Sequence, residues 1–348
     1  MKLAVRAQNP KEWIGLTFNL APIPIIHTNV QALAARALCE AVAAGVFEAV
    51  GLDARTAAEI ASATGTNERA LQALLDLLVS LGYLACAKDR LTTTSLSRKW
   101  LLERSDHHVC DALKLFLAQW RVYDHLGEYL RTGKGFGSQT DMHADTWPTY
   151  QKAMFQLARM GVDEVTAKAP LPPGAKAMLD VGGSHGLYSV AFCRRVATMS
   201  AEVLELPQAI DAAAPLLAAI NTESRVRHRV GNILEDDLGD STYDVILLSN
   251  VVHLFDAEQN GAIARKAARA LRPGGHLLIQ DFVRPEIGTR SDTVSSAQNL
   301  FFSLLSAAGV YSVREEQAWL TAAGLTPLPV VRFLSTPLVL VAATRPLG

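Results

Sequence analysis

The chain has 348 residues, 49% of them apolar and 19% charged, and a formal net charge of −1. That length supports two domains with sizeable cores, and near-neutrality removes the electrostatic case for nucleic acid or an anionic membrane as partner. The four cysteines, Cys39, Cys86, Cys110 and Cys193, form no C-x-x-C pair; with no signal-like start and no run of eighteen apolar residues, they read as reduced thiols of a cytoplasmic protein.

In chain order, residues 1–30 read as irregular, with Pro22 and Pro24 of APIPII interrupting any helix. Residues 29–50 are alanine- and leucine-rich and helical, ending near Gly51. RTAAEIASATG (55–65) and TNERALQALLDLLVSLGYL (66–84) give two further helices, the second with Thr66 as N-cap and Glu68 in its first turn. A hairpin-like LACAKDRLTTTS (84–95) completes the order of a winged helix-turn-helix. A DNA-reading helix needs Arg, Lys, Asn or Gln on its outer face. This one offers Arg69 and Gln72 against Glu68 and Asp76, and its leucines imply burial on most faces. Residues 1–105 therefore read as a packing and dimerisation domain.

From Asp106 to Lys168 the spacing predicts two longer helices, with apolar positions at Val109, Leu113, Phe116, Trp120 and Tyr123, then at Trp147, Tyr150, Met154 and Leu157. A glycine-rich loop, TGKGFGSQTDMHAD, joins them. Residues 106–172 form a helical connector placed to line a substrate pocket, and APLPPGAK (169–176) is the linker. Beyond it strands at 177–181, 202–206, 226–230, 243–249 and 275–281 alternate with helices at 186–197, 208–220 and 258–271, which predicts a parallel sheet covered on both faces. LRPGG (271–275) reads as a glycine stop to the last of these helices. The tail adds one helix and an antiparallel strand pair.

The strongest local signal is KAMLDVGGSHGLYS (176–189), an apolar strand ending in Asp180 and a turn with Gly182, Gly183 and Gly186. In an open α/β sheet this is where a nucleotide-like cofactor lies, and glycines let backbone approach it. The turn is D-x-G-G-S-x-G rather than G-x-G-x-x-G, a poor match to a dinucleotide fingerprint. Glu205 follows Gly186 by 19 positions at the end of the next strand, placed to accept the hydroxyls of a ribose. No metal-ligand spacing is present: the adjacent pair His107-His108 has no cysteine nearby and reads as solvated surface. There is no G-x-S-x-G elbow for acyl chemistry.

Asp180 to Gly186, Glu205-Leu-Pro-Gln, the stretch from Tyr243 to His253, LRPGGHLLIQD and the terminal strands together resemble the dimeric S-adenosylmethionine-dependent O-methyltransferases of the caffeate and hydroxyindole type, bacterial secondary-metabolite members above all. The resemblance spans nearly the whole chain. It implies a Rossmann-like α/β fold with the seven-stranded class I methyltransferase sheet over 173–348, an N-terminal winged-helix dimerisation domain, a homodimer, and methylation of a hydroxyl on an aromatic small molecule. The implied cofactor set is Asp180, Gly182, Gly183, Gly186, Glu205, Leu206, Asn232, Ile233 and Ser249, with Asn232 standing where an aspartate is usual. His253 matches the catalytic base and Asp281 the first of its two flanking acids; the second falls on Val310. Trp120, Tyr123, Met154, Phe155 and Gln298 are the expected substrate contacts.

A sulfonium methyl is already activated, so placement supplies much of the rate and the nucleophile needs only to lose its proton. Full prior transfer from a phenol of pKa ~10 to a histidine of ~6.5 would cost roughly 4.8 kcal/mol, so deprotonation accompanies methyl transfer. His253-Leu254-Phe255 replaces the usual His-Asp-Trp, and a base with one orienting acid is weaker. C-methylation of an activated carbon therefore stays open, as does use of the same cofactor without methyl transfer, in decarboxylation, hydroxylation or ring closure. The reading from another class is a winged-helix regulator.

Overall fold

The computed structural model describes residues 5–137, 146–285, 293–306 and 308–347. The chain divides between Trp120 and Arg121 into two compact units. Helix Cys110–Ala118, placed by the sequence in a connector starting at 106, packs against helix Gln31–Ala43 within the first unit.

In that unit the expectation of an irregular start is corrected. Residues Pro10–Thr17 form a helix capped by Asn9, and Ile23–Ile25 leads through a π turn, Ile26–Val30, into Gln31–Ala43. Pro22 is an N-cap and Pro24 lies in the first turn, where its missing N–H has no partner to lose. The helix foreseen at 29–50 breaks at Ala44 and Gly45, whose φ of 73° starts a separate turn, Val46–Val50. Helix Glu68–Ser80 is capped by Asn67 rather than Thr66, whose hydroxyl bonds Thr64 instead. Its leucines do not bury on most faces: Leu71, Leu75 and Leu78 make one buried stripe, opposite exposed Gln72, Ala73 and Asp76. The wing is β1 (Leu84–Ala87) paired antiparallel with β2 (Arg90–Thr93), and both turn residues, Lys88 and Asp89, have positive φ, which matches the twist of a two-residue hairpin.

The second unit holds one sheet: β3 (Ala177–Val181), β4 (Ser200–Glu205), β5 (Val226–Val230), β6 (Tyr243–Ser249), β7 (Leu271–Asp281), β8 (Thr326–Pro327), β9 (Val331–Arg332) and β10 (Val339–Thr344). Its order is β5-β4-β3-β6-β7-β10-β8, parallel from β5 to β7, with β10 antiparallel between β7 and the edge. The edge position is shared by two short strands, since β9 also pairs with β10. Pro329 lies between them and has no N–H to give the ladder. The sheet is thus seven positions wide, as expected.

Side chains alternate across the sheet. Leu179, Val181, Ile246, Leu248, Leu277 and Ile279 enter one apolar cluster, while Met178, Val203, Val245, Leu247 and Leu278 enter the other. Each such fully buried side chain contributes roughly 1.5–3 kcal/mol. Helix Ala257–Ala270 ends before this stretch, and LRPGG is the start of β7 rather than a helix stop. Gly275 is required there by crowding: a Cβ would lie 2.9 Å from the Arg272 carbonyl oxygen and 3.0 Å from that of Asp244. The two long helices expected between 106 and 168 are shorter pieces, Cys110–Ala118, Trp120–Asp124, Leu126–Thr132, Trp147–Arg159 and Val162–Lys168. Most of the glycine-rich loop, 138–145, lies outside the described residues.

Candidate active site

Between β3 and β6 the strand order reverses, leaving a crevice beyond their carboxyl ends. Register brings Val181 opposite both Leu204 and Leu248, Ser249 opposite Gln280, and Asp281 opposite Val339. Asp180, Glu205, Ser249 and Asp281 thereby all arrive at one edge of the sheet.

At the end of β3, Asp180 is buried and accepts one hydrogen bond, from the Ser189 hydroxyl at 2.7 Å, on Oδ2; Oδ1 has no partner among the described residues. Burial pushes its carboxyl up to about 7, and the Glu205 charge adds to this. Gly183 is required by this carboxylate and Gly182 by Val251. A Cβ on Gly183 would lie 2.4 Å from the Asp180 Cγ, and one on Gly182, whose φ is 65°, would meet Val251 at 2.9 Å. Ser184 follows in the left-handed region with φ 56°. Its carbonyl accepts from His228 Nε2 at 2.8 Å, its hydroxyl donates to the Gln151 side-chain oxygen and its N–H donates to Glu205 at 3.2 Å. Gly186 opens helix Leu187–Arg195.

Glu205 accepts a second amide hydrogen, from Leu206 at 2.9 Å, while burial raises its carboxyl. Asn232 uses its side-chain oxygen on the Leu234 N–H and its own N–H on Asp236, so it shapes the turn that carries buried Ile233. Ser249 donates to Gln280 at 3.1 Å.

His253 lies on the single turn Val252–Leu254 after β6, 4% exposed. Asn260 holds that turn by donating to the carbonyls of Val252 and Phe255 at 2.9 and 3.0 Å. The His253 Nδ1 lies 2.7 and 2.9 Å from the two oxygens of buried Asp281, whose Oδ1 also accepts the Phe282 N–H at 2.8 Å. A carboxylate can only accept, so Nδ1 carries the hydrogen and Nε2 is left with its lone pair. The ring is stacked on Phe302, centroids 3.6 Å apart. This arrangement can take a proton from an acidic hydroxyl and hold the resulting imidazolium.

Phe302 was not among the residues expected from the sequence. It lies four positions after Gln298 on helix Thr293–Ser306, hence on the same face, and continues through Phe301 to Tyr123, with centroid distances of 5.3 and 6.2 Å. The sequence signal was available in the Phe301-Phe302 pair of an amphipathic helix. Phe155 meets His185 edge-on at 5.2 Å, and Met154 precedes it, half-buried. Burial lowers the His185 imidazole to about 4, so it is neutral. Trp120 belongs to the first unit, where the Arg36 guanidinium lies 5.4 Å over its ring. Val310 is buried at 3%. Glu316, also missed, is fully buried on helix Val313–Ala322.

An open α/β sheet with a glycine turn, a glutamate at the end of the neighbouring strand and a buried histidine–carboxylate pair on one edge is an arrangement suited to an enzyme that modifies a small molecule. The chain belongs to the O-methyltransferase family: the O-methyltransferase domain matches residues 117–325 and the O-methyltransferase dimerisation domain residues 29–103. It is similar to the 3-hydroxy-5-methyl-1-naphthoate 3-O-methyltransferase of Streptomyces sahachiroi, 25% identical over 86% of this chain and 88% of that one. The L-tyrosine C(3)-methyltransferase of Streptomyces lavendulae is 26% identical over 51% and 48%. The crystal structure of human N-acetylserotonin methyltransferase in complex with SAM has the same fold, with a TM-score of 0.81 at 17% identity over 98% of this chain and 100% of that one. Among the described residues no group of three or more His, Cys, Asp or Glu is placed to hold a metal, and no helix is long and apolar enough to cross a membrane.

Proposed function

We propose that the protein transfers a methyl group from S-adenosylmethionine to a hydroxyl of an aromatic small molecule in secondary metabolism, with His253 as general base and Asp281 orienting it. The observation that carries this reading is the buried His253–Asp281 pair on the same strand-end edge as the glycine turn. The turn fits the cofactor on its own terms. The unpartnered Asp180 Oδ1 suits a ligand ammonium, Gly182 and Gly183 let the turn close tightly over Val251 and the Asp180 carboxylate, and Glu205 suits paired ribose hydroxyls. Asn232, Ile233, Leu206 and Ser249 complete the cofactor's surroundings. The bound cofactor supplies an activated methyl group.

Everything else falls to the chain. His253 Nε2 accepts the hydroxyl proton as the methyl transfers, and Asp281 stabilises the imidazolium that forms. Phe302 fixes the ring plane by stacking and, with Phe301 and Tyr123, offers an aromatic wall for a planar acceptor. Gln298 adds a polar group on the same helix face, and Met154 and Phe155 are further acceptor contacts. Two copies assemble through the N-terminal unit, where Trp13, Ile14, Phe18, Leu20, Val30 and Leu33 are exposed apolar surface. C-methylation is the second reading, favoured by the likeness to a tyrosine C-methyltransferase.

The test is a calorimetric titration with S-adenosylhomocysteine beside NADH, repeated on Glu205→Ala, followed by a phenol panel with a His253→Ala control and product mass. Binding of the first ligand alone, lost in Glu205→Ala, with a gain of one methylene on oxygen, is the expected result. Binding of neither ligand overturns the reading.

A further inference from the structure

The chain leaving β5 turns back on itself between Gly231 and Asp236. The amides of Glu235 and Asp236 both donate to the Asn232 carbonyl, at 3.0 and 2.8 Å, which makes one isolated helix-like turn. Asp236 Oδ2 accepts the Asn232 N–H at 2.7 Å, and the Asn232 side-chain oxygen accepts the Leu234 N–H at 3.0 Å. A single turn leaves the carbonyls at its end without backbone donors. Those of Ile233, Leu234 and Asp236 accept no amide hydrogen among the described residues.

One side chain serves all three. The Lys266 ammonium, reaching from half-buried helix Ala257–Ala270, lies 2.9 Å from the Ile233 carbonyl oxygen, 2.8 Å from that of Leu234 and 3.1 Å from that of Asp236. An ammonium has three hydrogens and no lone pair, so these carbonyls use it completely. Three acceptors around one nitrogen suit a lysine better than the planar fork of an arginine.

The place of this loop in the sheet gives the clasp its consequence. Gly231 donates its N–H to the Glu205 carbonyl at 3.0 Å, so the loop starts beside the residue suited to the ribose hydroxyls. The approach is tight, since a Cβ on Gly231 would lie 2.5 Å from both Asp236 Oδ2 and the Leu204 side chain. The strand ends run in the order β3, β4, β5. A ligand with its ammonium at Asp180 on β3 and its ribose at Glu205 on β4 therefore extends its base toward Asn232 and Ile233.

We propose that Lys266 is a positioning residue of the cofactor site: its ammonium clasps Gly231–Asp236 in the shape that presents Asn232 and Ile233 to the base, and it acts only through that loop. The inference rests on S-adenosylmethionine as the cofactor, but the first arm of its test needs no ligand.

The experiment uses the full chain as parent, Lys266→Met, Lys266→Gln and Arg269→Gln. Without ligand, hydrogen exchange over 231–237 should quicken in Lys266→Met while β3, β4 and β6 keep the parent's rates. A loop that holds its clasped shape for only about a tenth of the time binds roughly tenfold more weakly, and calorimetry with S-adenosylhomocysteine should read that loss. Saturating S-adenosylhomocysteine should return the loop of Lys266→Met to the parent's exchange rate, because the ligand selects the clasped shape; damage unrelated to the ligand would not be reversed. Lys266→Gln, with two hydrogens in place of three, should fall between, and decides the matter if Lys266→Met does not fold. Arg269→Gln, whose side chain meets Asp237 just beyond the loop, should bind as the parent does. Unchanged exchange in the loop, quickening throughout the sheet, a loop still fast at saturation, or an equal loss in Arg269→Gln overturns the proposal. A parent that binds no S-adenosylhomocysteine overturns the cofactor reading and this inference with it, whereas a parent and a Lys266→Met that bind equally well overturn this inference alone.

Discussion

Asp180→Asn isolates the cost of preparing the cofactor turn. The carboxyl is raised from an ordinary 3.8 to about 7 by burial. Its folded value exceeds its unfolded one, so between those limits the native state keeps a proton that the unfolded chain has released. Stability is therefore fully present below 3.8 and falls as pH rises to about 7, by roughly 4 kcal/mol. Asparagine has the same shape, cannot ionise and still offers Ser189 an acceptor. Without ligand, Asp180→Asn should match the parent at acid pH and exceed it by roughly 3–4 kcal/mol near pH 8. Urea unfolding at several pH values measures the gap. The second half of the argument is binding: the parent should bind S-adenosylhomocysteine more tightly as pH rises to neutrality, and Asp180→Asn should lose that dependence together with affinity. A variant that is less stable than the parent at pH 8, or a gap that does not grow with pH, refutes the reasoning.

Other expectations follow from distances. Gly183→Ala places a Cβ 2.4 Å from the Asp180 carboxyl carbon and should abolish S-adenosylhomocysteine binding while leaving the first unit folded, as read by calorimetry and limited proteolysis. Asp281→Asn removes a charge-assisted bond and favours the tautomer with Nε2 protonated; turnover on any accepted phenol should fall by about 10² to 10⁴, with cofactor affinity unchanged. Phe302→Ala should cut turnover more than cofactor binding, because it frees the His253 ring. Phe18→Glu, at a residue 66% exposed, should leave the melting of the methyltransferase unit intact and shift the protein toward monomer in sedimentation.

The parallel sheet was readable because its strands are continuous apolar runs, and the switch point followed from Asp180 and the glycines. The helices were less so where one residue type hid two roles. Pro22 and Pro24 looked like breakers and serve as a cap and a first-turn residue, a distinction of one or two positions. Asp281 could be placed at a strand end, but only register puts it beside His253. Glu316 could not be found at all. In sequence it is one acid in a capping-box helix, beside a Glu315 that faces Arg284, and burial comes from how the helix rotates onto the sheet. Phe302 was hidden for a similar reason, since its partner lies 49 positions away in the chain.

The placement of β10 bears on how the molecule folds. In a chain growing from its N-terminus, β7 has only β6 as a neighbour until residues 339–344 arrive and insert between it and the edge strands. The second side of β7 is thus closed late, by pairings that span 58 positions at Asp281 and Val339. Long-range closures of this kind are slow and leave strand edges open to wrong partners in the meantime. The strand that carries Asp281 is then late to gain its second neighbour, and substitutions in β10 should show themselves in refolding yield before they show in the activity of molecules that succeed in folding.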